Sequence, residues 1–298
     1  MTDPSRPSWV RRLFRNATEI RAGWRLLLFV ALSFVFIRRV LWILLRLHLP
    51  DWPFLDPVQL FSDDLSVLLP ILAATLIMGR LERRRLTGYG IPVRDAFGRR
   101  FWAGTTWGFG ATLLLLGLIA LGGGHKIAGV ALERRGLAHY LGLWLTAAVM
   151  IGFTEEIAFR GYLLRTLSDG IRFWPAAVLL SAGFGALHYF TKPYERWEDF
   201  ACTGLIGLLA CLALRRTGSL AFPIGFHFAF DFGAIFVYSG RNAGEFAVGH
   251  LLETKWPGPE WLTGGQLGPE ASWMVFVVIA VLFLAFDRTH REARFTLV

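Results

Sequence analysis

The stretch "GFTEEIAFRGYLL", residues 152–164, sets two adjacent glutamates and an arginine inside what otherwise reads as apolar helix. A charge in the hydrocarbon of a membrane costs roughly 2.5–3.5 kcal/mol even on a lenient insertion scale, so such groups are either paired within a bundle or used for chemistry. Positions i and i+4 share a helix face, which lets Glu156 and Arg160 pair along one side. Glu155 is turned about 100° away from Glu156 and is left as the free carboxylate. The plainer alternative is a buried three-residue network that only holds helices together.

The surroundings of this stretch decide the fold class. The chain has 298 residues, of which 54% are hydrophobic, and a mean hydropathy of +0.48. Its apolar runs approach the length that crosses a bilayer, about 20 residues. The reading is an all-α polytopic membrane bundle of eight transmembrane helices. They run near Trp24–Leu47, Leu60–Met78, Phe101–Leu121, Leu137–Leu167, Phe173–Phe190, Phe200–Leu214, Leu220–Tyr238 and Ala271–Phe286. The fourth, which carries the quoted stretch, is too long to stand upright in one bilayer. The fifth to seventh runs are rich in Gly and Ala, which lets helix backbones approach closely.

Charge supplies the orientation. With the N-terminus inside, 20 of the 31 Lys and Arg fall on the inner side and 8 on the outer, as cytoplasmic loops require. Both termini are then cytoplasmic. Residues 1–22 form an Arg-rich tail or interfacial helix, 23–290 a single membrane domain with its motif core at 137–240, and 291–298 a short tail. No small-residue cleavage site follows the first apolar run, so it is expected to be a retained helix. The net charge of +9 is accounted for by these arginines. With no soluble basic domain or binding motif, nucleic acid is not an expected partner. Cys202 and Cys211 lie about 13 Å apart on one helix, too far to bridge.

Two further stretches place polar groups in apolar runs. In "FGALHY", Phe184 and His188 lie on one face of the fifth run; a lone histidine there is more often a hydrogen-bonded core residue than a catalyst. In "HFAFD", His227 and Asp231 share a face of the seventh, where an imidazole and a carboxylate can orient each other, share a proton or bind a metal. Taken together, three runs offer acids and imidazoles to one polar cavity. Glu155 can serve there as general base toward water, with His188 beside it. His227, its ring held by Asp231, can donate to a developing oxyanion. Asp63 and Asp64, near the outer end of the second run, are expected to reach the headgroups. Counted from Arg165, Arg216 and Arg172, Glu155 and His227 lie about 15 Å deep but His188 about 24 Å. That mismatch requires the fifth run to tilt or to start below the membrane, around Trp174-Pro175.

Glu155-Glu156 with Arg160, then Phe184-x-x-x-His188, then His227-x-x-x-Asp231, resembles the three motifs of the CPBP family. This family comprises the type II CAAX prenyl proteases and the related bacteriocin-processing and immunity proteins. The likeness is carried by about residues 137–240, and the third motif ends here in Asp where many members have Asn. It implies an intramembrane endopeptidase in which Glu155 activates water beside His188, His227 and Asp231 line the oxyanion side, and Glu156 and Arg160 shape the site. It also allows a zinc alternative, with Glu155, His188, His227 and Asp231 as N and O ligands, although no HExxH is present and the expected cofactor is none.

The implied partners are a peptide or protein substrate, lipidated in the eukaryotic relatives, and the membrane lipids. The abundance of Arg, Ala, Gly and Leu points to a bacterial inner membrane. Two other readings remain open: a non-catalytic immunity or partner-binding scaffold, and a proton-coupled transporter. No repeat-related halves or paired broken helices support the transporter.

Overall fold

A computed structural model describes residues 20–47, 52–194 and 196–295. The Arg-rich segment 1–22 lies almost wholly outside the described residues, as does the end of the 291–298 tail. The chain is mostly helical. Its helices are α1 (Ala22–Leu47), α2 (Pro57–Glu82), α3 (Arg99–Leu121), α4 (Arg134–Ala158), α5 (Leu164–Ile171), α6 (Phe173–Thr191), α7 (Trp197–Thr217), α8 (Ala221–Asp231), the single turn α9 (Glu260–Thr263) and α10 (Met274–Thr289). Six helical segments are long and apolar enough to cross a membrane, counting Arg134–Ile171 as one. The protein is therefore an integral membrane protein. The last two expected crossings are shorter: Ala221–Val237 has 17 residues, and α10 has 16.

Local chemistry sets the helix limits. Asp56 caps α2 by accepting from the N–H groups of Val58 at 2.8 Å and Gln59 at 3.2 Å, with Pro57 occupying the first helical position, where no N–H is needed. α7 stops at Gly218, whose φ of 76° suits the left-handed C-cap. The turn that follows is buried inside the protein. Thr217 donates to Ala213 O and Ser219 O, and Leu220 N–H donates to Gly90 O. These bonds let irregular backbone sit away from water, and α8 can start deep rather than at the surface.

α8 is the central helix. Its sequence AFPIGFHFAFD is apolar all round, which marks a helix enclosed by others. Residues 221–226 and 228–230 are buried, and His227 and Asp231 are the polar side chains that α8 turns to a cavity. α3 crosses α8 with backbones almost touching. A side chain added at Gly104 would lie 2.1 Å from Phe222 O, and one at Gly225 would lie 2.1 Å from Phe101 O. α6 and α7 meet in the same way at Gly185, 2.4 Å from Phe200 O. Membrane helices associate through such small-residue contacts because lipid offers no hydrophobic drive to bring them together.

Among the described residues, the loops outside the helices depart from an all-α reading with a short two-stranded ribbon. Strand β1 (Lys126–Val130) pairs antiparallel with β2 (Leu252–Lys255), with Lys126 opposite Lys255. The Trp144 indole N–H donates to Val248 O at 2.9 Å and ties this cap to α4. Cys202 and Cys211 are both free and buried. The spacing at Gly225 gives a direct expectation. Gly225→Leu should lower stability by about 1–3 kcal/mol through overpacking, read as a lower midpoint of thermal unfolding in detergent. Gly117→Leu, at a position with open space around it, should leave the midpoint nearly unchanged.

Candidate active site

α4 does not end where its apolar face ends. At Phe159–Leu163 the backbone opens into a π-type turn, with Gly161 at φ −80° and ψ −114°, and then resumes as α5. Turns of this kind interrupt helices most often where a side chain must be re-aimed. Here the residues brought inward are Glu155, Glu156 and Arg160.

Glu156 and Arg160 are almost completely enclosed, at 3% and 1% exposure. Arg160 Nη1 donates to Glu156 Oε1 at 3.3 Å, so the i,i+4 pairing read from the sequence is formed. The guanidinium also lies over the Phe184 ring, 4.3 Å from its centroid, which gives Phe184 a cation–π role. Gly207 leaves the room for it, since a side chain there would come within 2.4 Å of Arg160 Nη2.

The same Glu156 oxygen faces His227 Nδ1 at 3.0 Å. The ring is thus held by Glu156, where the sequence reading assigned that task to Asp231. Its other nitrogen, Nε2, stands 3.4 Å from Glu155 Oε2 and 3.4 Å from Asp231 Oδ2. An imidazole with Nδ1 on a buried carboxylate presents Nε2 in a defined direction. His188 is fixed separately: its Nδ1 lies 3.0 Å from Phe184 O, and its Nε2 is 3.9 Å from Glu155 Oε1. Glu155 is more open than Glu156, His188, His227 and Asp231, at 26% exposure. It faces His188 with one oxygen and His227 with the other.

The apparent depth mismatch between Glu155 and His188 is removed by where α6 begins. The helical run continues past Arg165 to Ile171, and the chain reverses at Arg172. Glu155 lies 17 residues before that reversal and His188 16 after it, so the two are level. Asp64 is also placed differently from the expectation at the headgroups. It lines the cavity with Glu155, whereas Asp63 is exposed and accepts from Gln59 Nε2 at 2.7 Å.

Asp64, both glutamates, both imidazoles and Asp231 open onto one cavity of about 190 Å³, enough for several water molecules. Its polar wall holds Asp64, Glu155, Glu156, His188, His227 and Asp231. Ile206, Leu209, Ala213, Phe226 and Phe230 form much of the remainder. Sequence reasoning missed other polar contributors: Lys192, Thr203, Asn242 and Glu270. Lys192 Nζ is 3.2 Å from Asp199 and 3.6 Å from Glu270. Its position four residues beyond His188 was a usable signal. Asn242 and Glu270 come from the long loop before α10, whose composition carries no such signal.

The family model described as Rce1-like, type II CAAX prenyl endopeptidase Rce1-like, matches residues 137–233. This segment is a CAAX-endopeptidase domain of that family. The domain covers about a third of the chain, from within α4 to just past Asp231, and so contains every one of the three motifs. No curated protein and no solved structure matches the chain. Among the described residues no group of three or more His, Cys, Asp or Glu is set at the spacing of a preformed metal site.

The Glu156 arrangement is directly testable. Glu156→Ala should leave Arg160 as an uncompensated buried charge and strip His227 Nδ1 of its partner, costing about 3–5 kcal/mol. The double variant Glu156→Met/Arg160→Met should unfold at a midpoint closer to that of the native protein, because it removes both charges together. Chemical denaturation in detergent, followed by circular dichroism, compares the two.

Proposed function

We propose that this protein is an intramembrane endopeptidase that hydrolyses a peptide bond with water activated by Glu155. The observation that carries the reading is the double contact of one carboxylate. Glu155 is 3.9 Å from His188 Nε2 and 3.4 Å from His227 Nε2, at the edge of a cavity enclosed by apolar helices. The match to CAAX endopeptidases supports peptide hydrolysis as the reaction class.

The steps follow from the chemistry of the groups. The Glu155–His188 gap exceeds a direct hydrogen bond and suits a bridging water. Glu155 takes a proton from that water as its oxygen attacks the carbonyl carbon. The carbonyl oxygen becomes an oxyanion, and His227 Nε2–H donates to it while Glu156 holds the opposite ring nitrogen. When the C–N bond breaks, the proton on Glu155 passes to the leaving amine, and the products are a free amine and a carboxylic acid that releases the water's second proton to solvent. His188, held by Phe184 O, orients the water.

The apolar wall of the cavity suits a hydrophobic or lipid-modified peptide segment. The topology we propose has eight crossings, with Ala221–Val237 and α10 completing the six long ones. Both termini then lie on the arginine-rich, cytoplasmic side, and residues 23–290 act as one domain in a bacterial inner membrane.

Glu155→Gln is expected to abolish cleavage of peptide substrates by the purified protein while the thermal midpoint stays within about 2 °C of the native value. The substitution removes a proton acceptor and adds no volume. Cleavage at the native rate would remove Glu155 from the mechanism. A cellular phenotype that survives both Glu155→Gln and His188→Ala would favour the non-catalytic scaffold.

A further inference from the structure

We propose that the groove at the C-terminal end of α2 is a binding site for the phosphate of an anionic membrane lipid. The site is built by the backbone. α2 stops at Glu82 because Arg83 turns to φ 55°, and its N–H returns to Arg80 O. The next N–H, of Arg84, donates to Gly79 O at 2.8 Å. Gly79 permits this close return, since a side chain there would sit 2.8 Å from Arg84 O. A 3-10 turn at Leu86–Tyr89 then carries the chain back into the protein, with Tyr89 buried. Arg80, Arg83, Arg84 and Arg85 are thereby gathered around one short reversal, and Arg94 closes the far side.

The groove has a volume of about 770 Å³, and no acidic residue lines it. Arg84 is committed to Asp169 at 3.1 Å. Arg80, Arg83, Arg85 and Arg94 have no acidic partner within salt-bridge distance among the described residues. The other arginine-rich hollow, around Arg288 and Arg291, differs: Asp95 and Glu292 stand in its own wall. Four guanidinium groups with no carboxylate among them suit an anion, and the planar fork of Arg fits phosphate oxygens in pairs.

Two features select a lipid over a free phosphate. Leu76 and Val93 also line the groove, and both are exposed. They extend its wall onto the apolar flank of α2, a helix long enough to cross the membrane. A phosphate on the arginines would therefore have its acyl chains beside these two side chains. Basic hollows between membrane helices at the level of the headgroups take anionic lipids for this reason. Arg84 gives the site a mechanical link, because Asp169, its partner, belongs to α5 and also holds Arg25 at 3.1 Å.

The test uses the full-length protein in neutral detergent, with thermal unfolding as the readout. Phosphatidylglycerol at saturation is expected to raise the midpoint by about 5 °C over phosphatidylcholine. The exposed triple variant Arg80→Gln/Arg83→Gln/Arg85→Gln should keep its midpoint in phosphatidylcholine and lose most of the rise. Native mass spectrometry should count one fewer retained phosphatidylglycerol on the variant. If the triple variant does not fold, Arg83→Gln/Arg94→Gln provides the same comparison. An equal rise in native and variant protein, or no preference for phosphatidylglycerol, overturns the proposal. A full rise with glycerol phosphate or inorganic phosphate alone overturns its lipid part.

Discussion

A single buried carboxylate organises the membrane core of this protein. Glu156 Oε1 meets Arg160 Nη1 on its own helical run and His227 Nδ1 on the central helix. Within an apolar bundle none of these groups is stable alone, because a buried charge is tolerated only when it is paired and hydrogen-bonded. The need to satisfy Glu156 therefore fixes the approach of α8 to α4. Once that approach is set, His227 Nε2 has one direction to face, and it faces Glu155 and Asp231.

Two glutamates adjacent in sequence consequently do different work. Glu156 is enclosed and spends its contacts on holding neighbours. Glu155, a third of a turn away, is more open and faces the two imidazoles. The π-type turn at Phe159–Leu163 and the glycines at 104, 108, 185, 207 and 225 serve the same end. They let helices come close enough for side chains on separate runs to share a cavity of about 190 Å³. A bundle with larger residues at those positions would hold the polar groups apart.

Much of this was legible in the residues. Apolar runs marked the helices to within a few positions, and the i,i+4 spacing of Glu156 with Arg160 and His227 with Asp231 placed each pair on one face. The charges that were too costly to bury idly turned out to meet. What the sequence hid was long-range. That Glu156 rather than Asp231 carries the His227 ring depends on how α8 packs on α4. Glu155 looked shallower than His188 because its depth was counted from Arg165, although the helix continues to Ile171. Asp64 looked like a headgroup residue because it is near a helix end, yet it turns inward. Lys192, Asn242 and Glu270 reach the cavity from helix ends and loops, where periodicity says nothing, and the β1–β2 ribbon joins segments more than 120 residues apart.

The central claim is that the three motifs surround one tetrahedral centre. A structure of the detergent-solubilised protein bound to a peptide phosphonate, which mimics the tetrahedral intermediate, tests it most directly. The account predicts one phosphonate oxygen between Glu155 and His188 and a second within hydrogen-bond reach of His227 Nε2. A phosphonate bound with Glu155 facing away from it, or with His188 and His227 on different sides of a closed helix wall, would contradict it.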